Sequence, residues 1–203
     1  MGDKAYIVTF KEIDPLFVID VSAPSNPKVL GELKIPGYST YLHPIDEYHL
    51  IGFGYDTELV SNGVSEPFVR NKGMKISLFD ITDFQNPKEK DTVIIGGEGT
   101  YSPIQYDHKA LFIHNERSLY GFPISVYSSA KHSHEFTGAL VYNITPSGGI
   151  KLKANIVAFS EGEQDKWDME MSRLLYVNDD LITISLKEIN AYRLNDFQLK
   201  NSL

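Results

Sequence analysis

An internal repeat with a period of about 60 residues constrains the fold of this chain more than any other feature of its sequence. Apolar, turn-forming and aromatic positions recur together at one offset, which is the pattern of solenoids, propellers and other repeat arrays. The aligned positions are 16–22 (LFVIDVS) with 76–82 (ISLFDIT), 26–28 with 86–88 (both Asn-Pro-Lys), Gly37 with Gly97, Tyr41 with Tyr101 and, after one residue of slippage, 46–51 with 107–112.

Two further copies are less complete. Residues 138–145 (GALVYNIT) repeat the order of apolar run, Asx residue and hydroxyl residue, with Asn143 standing 63 positions after Asp80. Residues 186–189 (LKEI) are similar to 10–13 (FKEI). The repeat therefore extends over nearly the whole chain.

Each copy has the pattern of four short β-strands. Residues 5–10 and 16–21 are apolar, β-branched or aromatic runs bounded by turn-forming residues. Residues 29–35 have the mixed pattern of an outer strand with one wet face, and 39–42 and 48–53 complete the cycle. Four strands per copy, joined by short turns, exclude alternating strand–helix–strand units.

One stretch also permits a helix. Apolar residues from Trp167 to Leu175 follow helical spacing, and residues 160–163 resemble a capping box. The repeat register instead predicts that 173–177 is the innermost strand of a new sheet. We expect that strand, with 161–168 forming a loop or one helical turn.

The Asx residue near the end of a strand has a structural explanation. Asp20, Asp80 and Asn143 each stand two positions before a Ser or Thr. Asx side chains accept hydrogen bonds from backbone amides two residues further on, which fixes a turn. Because the pattern recurs in each copy, we interpret it as a turn device and not as a set of ligands.

Stacked sheets explain the repeat physically. A four-stranded sheet cannot bury both faces alone, whereas the radially stacked blades of a β-propeller bury them against one another. The sequence predicts an all-β fold and a single propeller domain over 1–203, and each of its two partial blades has about three strands. The predicted segments are a partial blade at 1–37, four-stranded antiparallel blades at 38–97 and 98–158, and a partial blade at 159–203.

These segments amount to about three and a half blades, fewer than the roughly four blades of the smallest closed ring. Open blade edges and faces favour association with further polypeptide. We therefore expect a homo-oligomer, or a part of a larger propeller.

Composition excludes several classes of function. The chain has no Cys, which excludes disulfides, thiolate metal sites and cysteine nucleophiles. Its formal net charge of -8 disfavours nucleic acid as a partner. No apolar run approaches the roughly 20 residues of a membrane span, and the first residues do not form a signal peptide. We expect no membrane insertion.

The two best copies resemble a known family. Residues 15–54 (PLFVIDVSAPSNPKVLGELKIPGYSTYLHPIDEYHLIGFG) and 75–113 (KISLFDITDFQNPKEKDTVIIGGEGTYSPIQYDHKALFI) are similar to secreted bacterial and archaeal proteins with a C-terminal β-propeller domain distantly related to WD repeats. The resemblance covers about 5–194. It implies propeller blades as the repeating unit and an extracellular or cell-surface location, and it implies no catalytic residues.

Two segments that we interpret as insertions between strands contain candidate metal ligands. In 55–72, Asp56 and Glu58 are oxygen donors of the kind that Ca²⁺ takes, but no calcium-loop pattern follows, which favours a solvated loop. In 115–137, His132 and His134 would point to one face of a strand, and zinc would need a third ligand. No partner motif supplies one, so no metal and no other cofactor is predicted.

The tripeptide Asp107-His108-Lys109 is the most suggestive for catalysis, because Ser102 stands six positions before His108. The chain has no Gly-x-Ser-x-Gly elbow, and the corresponding segment 46–48 has no His. We therefore expect a tight turn in which Asp107 accepts hydrogen bonds from backbone amides.

Two functions stay open, and the sequence favours the first. It is a non-catalytic scaffold or binding module that binds protein, peptide or glycan on one rim, with candidate residues Tyr38, Tyr41, Tyr55, Tyr101 and His108. The alternative is a propeller hydrolase acting on glycans, which requires two carboxylates about 5–9 Å apart. The candidate carboxylates are Glu98, Asp107, Glu116 and Glu161.

Overall fold

The computed structural model describes residues 1–9, 15–61, 66, 68–160, 162 and 166–203. In these residues, every regular element longer than one turn is a β-strand, and the strands form four separate antiparallel sheets in sequence order. The predicted all-β fold class is confirmed. The chain divides into two compact units, Met1–Ile95 and Gly96–Leu203, and each is described by itself.

The first unit contains two sheets, here called the first and second blades. The first blade has three strands in the order β1-β2-β3, and the second has four in the order β4-β5-β6-β7. Their bounds are β1 (Lys4–Val8), β2 (Pro15–Asp20), β3 (Lys28–Lys34), β4 (Tyr38–Pro44), β5 (His49–Val60), β6 (Phe68–Asp80) and β7 (Lys88–Ile95).

The sequence repeat is reproduced in the backbone of these two blades. The pairing of β2 with β3 shifts register between Val18 and Ile19, and that of β6 with β7 shifts between Leu78 and Phe79, 60 positions later. The edge strand β3 is the predicted outer strand at 29–35. A register shift of this kind marks a β-bulge, and its presence at the same place in both blades shows that the repeat extends to the backbone.

The predicted turn device forms in two of its three copies. Asp20 Oδ1 accepts a hydrogen bond from the amide of Ser22, and Asp80 Oδ1 from that of Thr82, each at 3.0 Å. Asn143 was wrongly predicted to do the same. It lies within a strand, and its Nδ2 donates to the carbonyl of Arg117 at 3.0 Å because an amide, unlike a carboxylate, is also a donor.

The second unit also contains two sheets, here called the third and fourth blades. Both have four strands, in the orders β11-β10-β9-β8 and β12-β13-β14-β15. Their bounds are β8 (Phe112–His114), β9 (Leu119–Ser128), β10 (Ser133–Thr145), β11 (Gly149–Ser160), β12 (Arg173–Val177), β13 (Asp180–Ile184), β14 (Ile189–Arg193) and β15 (Leu199–Ser202).

Three details of the sequence prediction were wrong. The last sheet has four strands instead of about three, because Leu199–Ser202 pairs with β14. The segment 55–72 is not a solvated loop in its described part, since β5 and β6 pair from Asp56 opposite Gly73 to Val60 opposite Phe68. The segment 115–137 is not an insertion either, because β9 and the start of β10 lie in it. Long paired strands satisfy backbone groups that a loop would leave to water.

The choice of strand over helix at 173–177 is confirmed, since this segment is β12. A 3₁₀ turn lies at Trp167–Met169, at the end of the segment 161–168 for which we expected a loop or one helical turn. Glu161 and residues 163–165, including half of the proposed capping box, lie outside the described residues.

Each unit has an apolar core that two blades share. In the first unit Leu16 of β2 packs with Leu50, Phe79 and Ile81 of the second blade. In the second unit, Phe112 and Leu119 of the third blade pack with residues of the fourth. Those residues are Met171, Leu174, Leu181 and Leu194. Burying one sheet face against the next is what a stacked-blade repeat requires. No helix in the described part of the chain is long and apolar enough to cross a membrane.

Candidate ligand-binding groove

An open groove of about 560 Å³ lies in the first unit, between β1 and the connections of the second blade. Lys4 and Tyr6 of β1 form one wall. The opposite wall is the β4–β5 turn, from Pro44 to Tyr48, with Phe84 from the β6–β7 turn. Two neighbouring blades therefore supply the surfaces of the groove.

Three aromatic residues line the groove. Tyr48 is 46% exposed and Phe84 and Tyr6 are half-buried, so all three present ring surface to a ligand. Partial burial raises the pKa of the Tyr6 phenol above its ordinary value. Its hydroxyl therefore remains a neutral donor and acceptor at neutral pH.

A cation is fixed at the β1 side of the groove. Lys4 Nζ lies 3.4 Å from Asp20 Oδ1 and 5.6 Å from the centre of the Phe84 ring. The amide and side chain of Ser22 and then Lys4 lower the pKa of Asp20, so this carboxylate stays ionised. The ammonium group is thus held over an aromatic face, which is a favourable cation–π position.

A carboxylate is fixed on the opposite wall. Asp46 Oδ1 accepts a hydrogen bond from the amide of Tyr48 at 2.8 Å and lies 2.9 Å from Nδ1 of His49. Burial raises the pKa of Asp46, but the hydrogen bonds from Tyr48 and His49 together lower it below its ordinary value. Glu47 beside it is exposed. The groove therefore combines aromatic faces with the ammonium group of Lys4 and the carboxylates of Asp46 and Glu47.

The two candidate histidine ligands do not share a strand face. His132 is exposed and lies in the turn before β10, with a left-handed φ of 51°. His134 is partly buried between Tyr127 and Phe159, and its Nε2 lies 2.9 Å from Oγ1 of Thr137. The expectation that both rings point to one face was wrong, because the strand begins only at Ser133.

The two candidate acidic ligands are paired with cations. Lys72 Nζ lies 3.7 Å from Oδ2 of the buried Asp56, and Arg70 donates from Nε to Glu58 Oε1 at 2.9 Å. The hydrogen bond and charge of Arg70 lower the pKa of Glu58. Among the described residues, no three His, Asp or Glu side chains come together as a metal site.

Three of the five predicted rim residues lie in the second blade and contact one another or their neighbours. Tyr38 pairs across the strands with Tyr55, with ring centres 5.7 Å apart. Tyr41 stacks on Phe53 at 6.3 Å, and its hydroxyl lies 3.1 Å from Nδ1 of His43. All three tyrosines are half-buried, which is the packing role of aromatic residues in a sheet.

The other two predicted rim residues lie in the second unit. Tyr101 is 38% exposed, and its hydroxyl donates to Glu170 Oε2 at 3.3 Å. Burial and the Glu170 carboxylate raise the pKa of Tyr101 to about 12. His108 is exposed on a 3₁₀ turn. The structure therefore does not show the five residues forming one site, because they belong to two units.

The tripeptide at 107–109 forms the predicted turn. Asp107 caps the 3₁₀ turn His108–Ala110 and accepts from the amide of Lys109 at 3.0 Å. Arg173 donates to its second oxygen at 2.6 Å. The amide of Lys109 and then Arg173 lower the pKa of Asp107, which makes it an anchor and not an acid.

Ser102 and the remaining carboxylate candidates have separate surroundings. Ser102 is fully buried, donates its hydroxyl hydrogen to the carbonyl of Pro123 and caps the 3₁₀ turn Pro103–Gln105. Glu98 is exposed in the connection before Thr100, and Glu116 is exposed in the turn between β8 and β9. Glu161 lies outside the described residues.

Comparison with known proteins agrees with the stacked-blade architecture. A family model described as a beta propeller domain matches residues 1–197. The chain belongs to this beta propeller domain family. The predicted propeller is confirmed at this level, whereas the finer relation to secreted proteins and WD repeats stays a prediction.

Curated relatives of this propeller domain are archaeal. The uncharacterized protein MJ1554 of Methanocaldococcus jannaschii is 38% identical over 199 residues, which cover 98% of this chain and 26% of that protein. An uncharacterized protein of Archaeoglobus fulgidus is 33% identical over 202 residues, which cover 97% of this chain and 25% of that protein. The propeller domain therefore spans about a quarter of the length of these relatives.

Similar solved structures include two of Synechocystis apocarotenoid oxygenase. A point mutant of that enzyme aligns with a TM-score of 0.44 at 11% identity, and its cobalt-substituted form with 0.46 at 13% identity. Each alignment covers 97% of this propeller domain and 45% of the enzyme chain. Neither the activity nor the metal of that enzyme is transferred to the propeller domain at this similarity.

A smaller cavity of about 190 Å³ lies in the second unit of the propeller domain, between β11 and the fourth blade. Its polar lining includes Glu188 and Asn190, whose Nδ2 donates to Glu188 Oε2 at 3.3 Å. Burial raises the pKa of Tyr192 on the same wall. With one aromatic ring and about a third of the groove's volume, this cavity suits an extended ligand less well than the groove does.

Sequence reasoning missed the groove of the propeller domain. Tyr6 lies in β1, Tyr48 at the end of the β4–β5 turn and Phe84 in the β6–β7 turn, so no common spacing joins them. One signal was available: Tyr48 and Phe84 are large aromatic residues in turns, where small polar residues are usual.

Proposed function

We propose that this propeller domain is a non-catalytic binding module that holds a glycan in the groove between β1 and the β4–β5 turn. The observation that supports it is the aromatic surface of Tyr6, Tyr48 and Phe84 beside fixed polar groups. Aromatic side chains combine a large apolar face with polar edges, which suits a ligand with apolar and hydroxyl-bearing surfaces.

The charges of the groove favour an uncharged, hydroxyl-rich ligand. Asp46 and Glu47 accept hydrogen bonds from hydroxyl groups, and Lys4 donates one. The formal net charge of -8 on the chain disfavours a polyanion.

The state of the carboxyl groups supports binding over hydrolysis. A glycosidase needs one carboxylic acid with a raised pKa, which protonates the leaving oxygen. Hydrogen bonds to Tyr48 and His49 lower the pKa of Asp46, and those to Lys109 and Arg173 lower that of Asp107. Both groups are therefore anions near neutral pH.

The test is calorimetric titration of a soluble oligosaccharide chosen from a glycan-array screen. Tyr48→Ala is expected to weaken binding about tenfold, which corresponds to about 1.4 kcal/mol, and Tyr48→Phe to retain it. Tyr106→Ala is the matched control, because Tyr106 is 79% exposed and lies in the other unit.

Three results would contradict the proposal. They are an array on which no glycan binds, equal affinity of the Tyr48→Ala and Tyr106→Ala variants, and release of shorter sugars during incubation. If Asp46→Asn abolished such release, the domain would be the glycan hydrolase of the alternative hypothesis.

The location and assembly of the domain belong to the same proposal. We propose that the module is extracellular or on the cell surface, and that it is a homo-oligomer or a part of a larger propeller. The open edge of the three-stranded first blade supports association. Light scattering tests the homo-oligomer, and a monomer mass at every concentration would overturn it; detection of the native protein only in the cytoplasmic fraction would overturn the location.

A further inference from the structure

The inner edge of the first blade carries backbone groups that no described strand pairs with. In the described residues, β1 ends the three-stranded sheet β1-β2-β3, whereas β4 lies beside β5 in the second blade. The strand pairings show how the two blades correspond. Lys4 of β1 stands opposite Asp20, and His49 of β5 stands opposite Asp80, which is the residue that aligns with Asp20 in the repeat. By the repeat, β1 therefore corresponds to β5, and the strand corresponding to β4 is the one that the first blade lacks.

The direction of the β1 backbone groups follows from the register. The amide of Val21 donates to the carbonyl of Asp3 at 2.8 Å, so Asp3 faces β2. In the second blade the amide of Ile81 donates to the carbonyl of Tyr48 at the same distance. Residues on an antiparallel strand alternate between facing the neighbouring strand and facing away from it. The N–H and C=O groups of Tyr6 and Val8 consequently point away from β2.

The second blade shows what a strand at this edge does. Ile51 and Phe53 of β5 are the equivalents of Tyr6 and Val8, and they stand opposite His43 and Tyr41 of β4. Leu42 of β4 also packs against the apolar core that contains Leu16, Leu50 and Phe79. A strand at this position therefore supplies both backbone partners and apolar side chains.

Lys4, at the start of the same edge, is already satisfied. The amide of Lys4 donates to the carbonyl of Met1 at 3.1 Å, and the amino group of Met1 donates to the carbonyl of Lys4 at 2.9 Å. In the second blade the amide of Ile45 donates to the carbonyl of His49 at 2.9 Å in the same way. The groups available for pairing are thus those of Tyr6 and Val8.

We propose that the β1 edge binds an extended polypeptide strand from outside these 203 residues, which completes the first blade as its fourth strand. The strand runs antiparallel to β1, exchanges hydrogen bonds with Tyr6 and Val8, and has apolar residues at alternating positions, as an added strand does in β-augmentation. About three quarters of each archaeal relative lies outside the matched part, so those proteins have further polypeptide from which such a strand can come.

The strand site goes beyond the proposed glycan function. It uses the backbone N–H and C=O groups of β1, whereas the glycan proposal uses the side chains of Tyr6, Tyr48 and Phe84. A peptide titration can therefore fail while glycan binding succeeds, and the reverse also holds.

The first experiment measures amide hydrogen exchange by NMR on the whole chain. Without peptide, the amides of Tyr6 and Val8 are expected to exchange at least about tenfold faster than those of Ala5 and Ile7, which face β2. The probe is the synthetic peptide YSTYLHP, which is the sequence of β4, Tyr38–Pro44, and the control is a scrambled peptide of the same composition.

The peptide, added at about 1 mM, is expected to slow exchange at Tyr6 and Val8 and leave Ala5 and Ile7 unchanged, whereas the scrambled peptide has no effect. Equal protection of all four amides without peptide would contradict the premise that the outward backbone groups of β1 are unpaired. No change at Tyr6 and Val8 with the peptide, or an equal change with the scrambled peptide, would overturn strand binding.

A backbone variant tests the same site. Val8→Pro removes the outward N–H, and proline is tolerated at a sheet edge where its missing donor faces away from the sheet. It also removes the valine side chain, which packs against the apolar core, and Val8→Ala controls for that loss. We expect Val8→Pro to abolish the protection that the peptide confers on Tyr6, and Val8→Ala to retain it. Peptide protection of Tyr6 that persists in a folded Val8→Pro variant would overturn the proposal; if this variant fails to fold, the exchange comparison on the unmodified chain decides.

Discussion

Both units join their blades through a shared apolar core, but the two junctions differ in the polar contacts beside that core. In the first unit, Lys75 and Glu89 of the second blade form a largely buried ion pair, and Lys75 lines the contact with the first blade. In the second unit, the contact between the third and fourth blades contains an apolar cluster. The ion pairs beside it, Arg117 with Asp179 and Arg173 with Asp107, are partly or mostly exposed.

The buried pair of the first unit is fully connected. Lys75 Nζ lies 2.9 Å from Glu89 Oε1 and donates to the carbonyl of Pro36 at 2.9 Å, in the link between the blades. Ser77 donates to the same Glu89 oxygen at 2.7 Å. The side chains of Lys75 and Glu89 are only 7% and 19% exposed. Such a network specifies one position for the linker at a cost in desolvation.

The second unit combines its apolar cluster with ion pairs that are partly exposed. Leu181 is completely buried in a cluster to which both blades contribute. Its ion pair between Asp107 and Arg173 has side chains 31% and 39% exposed. Partly exposed pairs contribute little to stability, so packing holds this junction together. The repeat determines where the sheets lie, whereas the side chains between the blades differ from one contact to the next.

Removing the buried cation should have the largest effect. Lys75→Met leaves Glu89 without its charge partner in a buried site, and we expect the free energy of unfolding to fall by about 3–5 kcal/mol. The double variant Lys75→Met, Glu89→Met should recover most of that loss, because two apolar side chains leave no charge to solvate. Chemical denaturation measures both values.

Lys90→Met is the control on the same blade. Lys90 is exposed and lies 3.7 Å from Asp80, so its loss should change the free energy of unfolding by less than about 1 kcal/mol. An equal effect of Lys75→Met and Lys90→Met would show that the polar network does not hold the first unit together.

Leu181→Ala should have the next largest effect, in the other unit. Truncating a fully buried leucine removes apolar contacts and leaves a cavity, at a cost of about 2–5 kcal/mol. The control is Leu186→Ala, since Leu186 is 80% exposed and its loss should cost no more than about 0.5 kcal/mol. A small effect of Leu181→Ala in thermal or chemical denaturation would contradict the apolar junction.

Sequence reasoning found the parts of the fold that depend on local pattern. Alternating apolar residues and Asx turns located β2 and β6, and the matched shifts near Ile19 and Phe79 show that the repeat extends to backbone detail. Local rules suffice there because strand and turn preferences act over a few residues.

The contacts between blades could not be found in that way. Lys75 stands in an apolar run, where a lysine is expected to reach solvent, yet its partner carbonyl at Pro36 is 39 positions away. The groove likewise depends on Tyr6 and Phe84 meeting across two blades. Such sites arise from how sheets pack, and a single sequence gives no distance between its turns.

Glu170→Gln should lower the pKa of Tyr101, whose hydroxyl donates to Glu170 in the second unit. Burial first and the Glu170 carboxylate second raise this pKa to about 12, so removing the charge should bring it down while leaving it above 10.0. NMR of ring-labelled tyrosine measures it. Tyr142 has a pKa of about 12 from burial alone and should not change.

The same shift fixes a direction for stability. Because the folded pKa of Tyr101 is raised, its contribution is fully present below pH 10.0 and is lost as pH rises through about 12. Glu170→Gln should therefore lower the pH at which this contribution to stability is lost. An unchanged Tyr101 pKa in the variant would show that burial alone sets it.

Asp107→Asn should have the smallest effect, and that effect should depend on pH. The amide of Lys109 and then Arg173 hold the pKa of Asp107 below its ordinary 3.8, so its contribution is present above that pH and is lost as pH falls through the lower folded value. The melting temperature of Asp107→Asn should therefore lie slightly below that of the unmodified chain at pH 7 and converge with it on acidification. The pair is partly exposed, so added salt should also reduce the difference. A deficit as large as that of Leu181→Ala would mean that this ion pair and not the apolar cluster holds the second junction. A deficit that persists in acid would mean that the charge of Asp107 does not cause it.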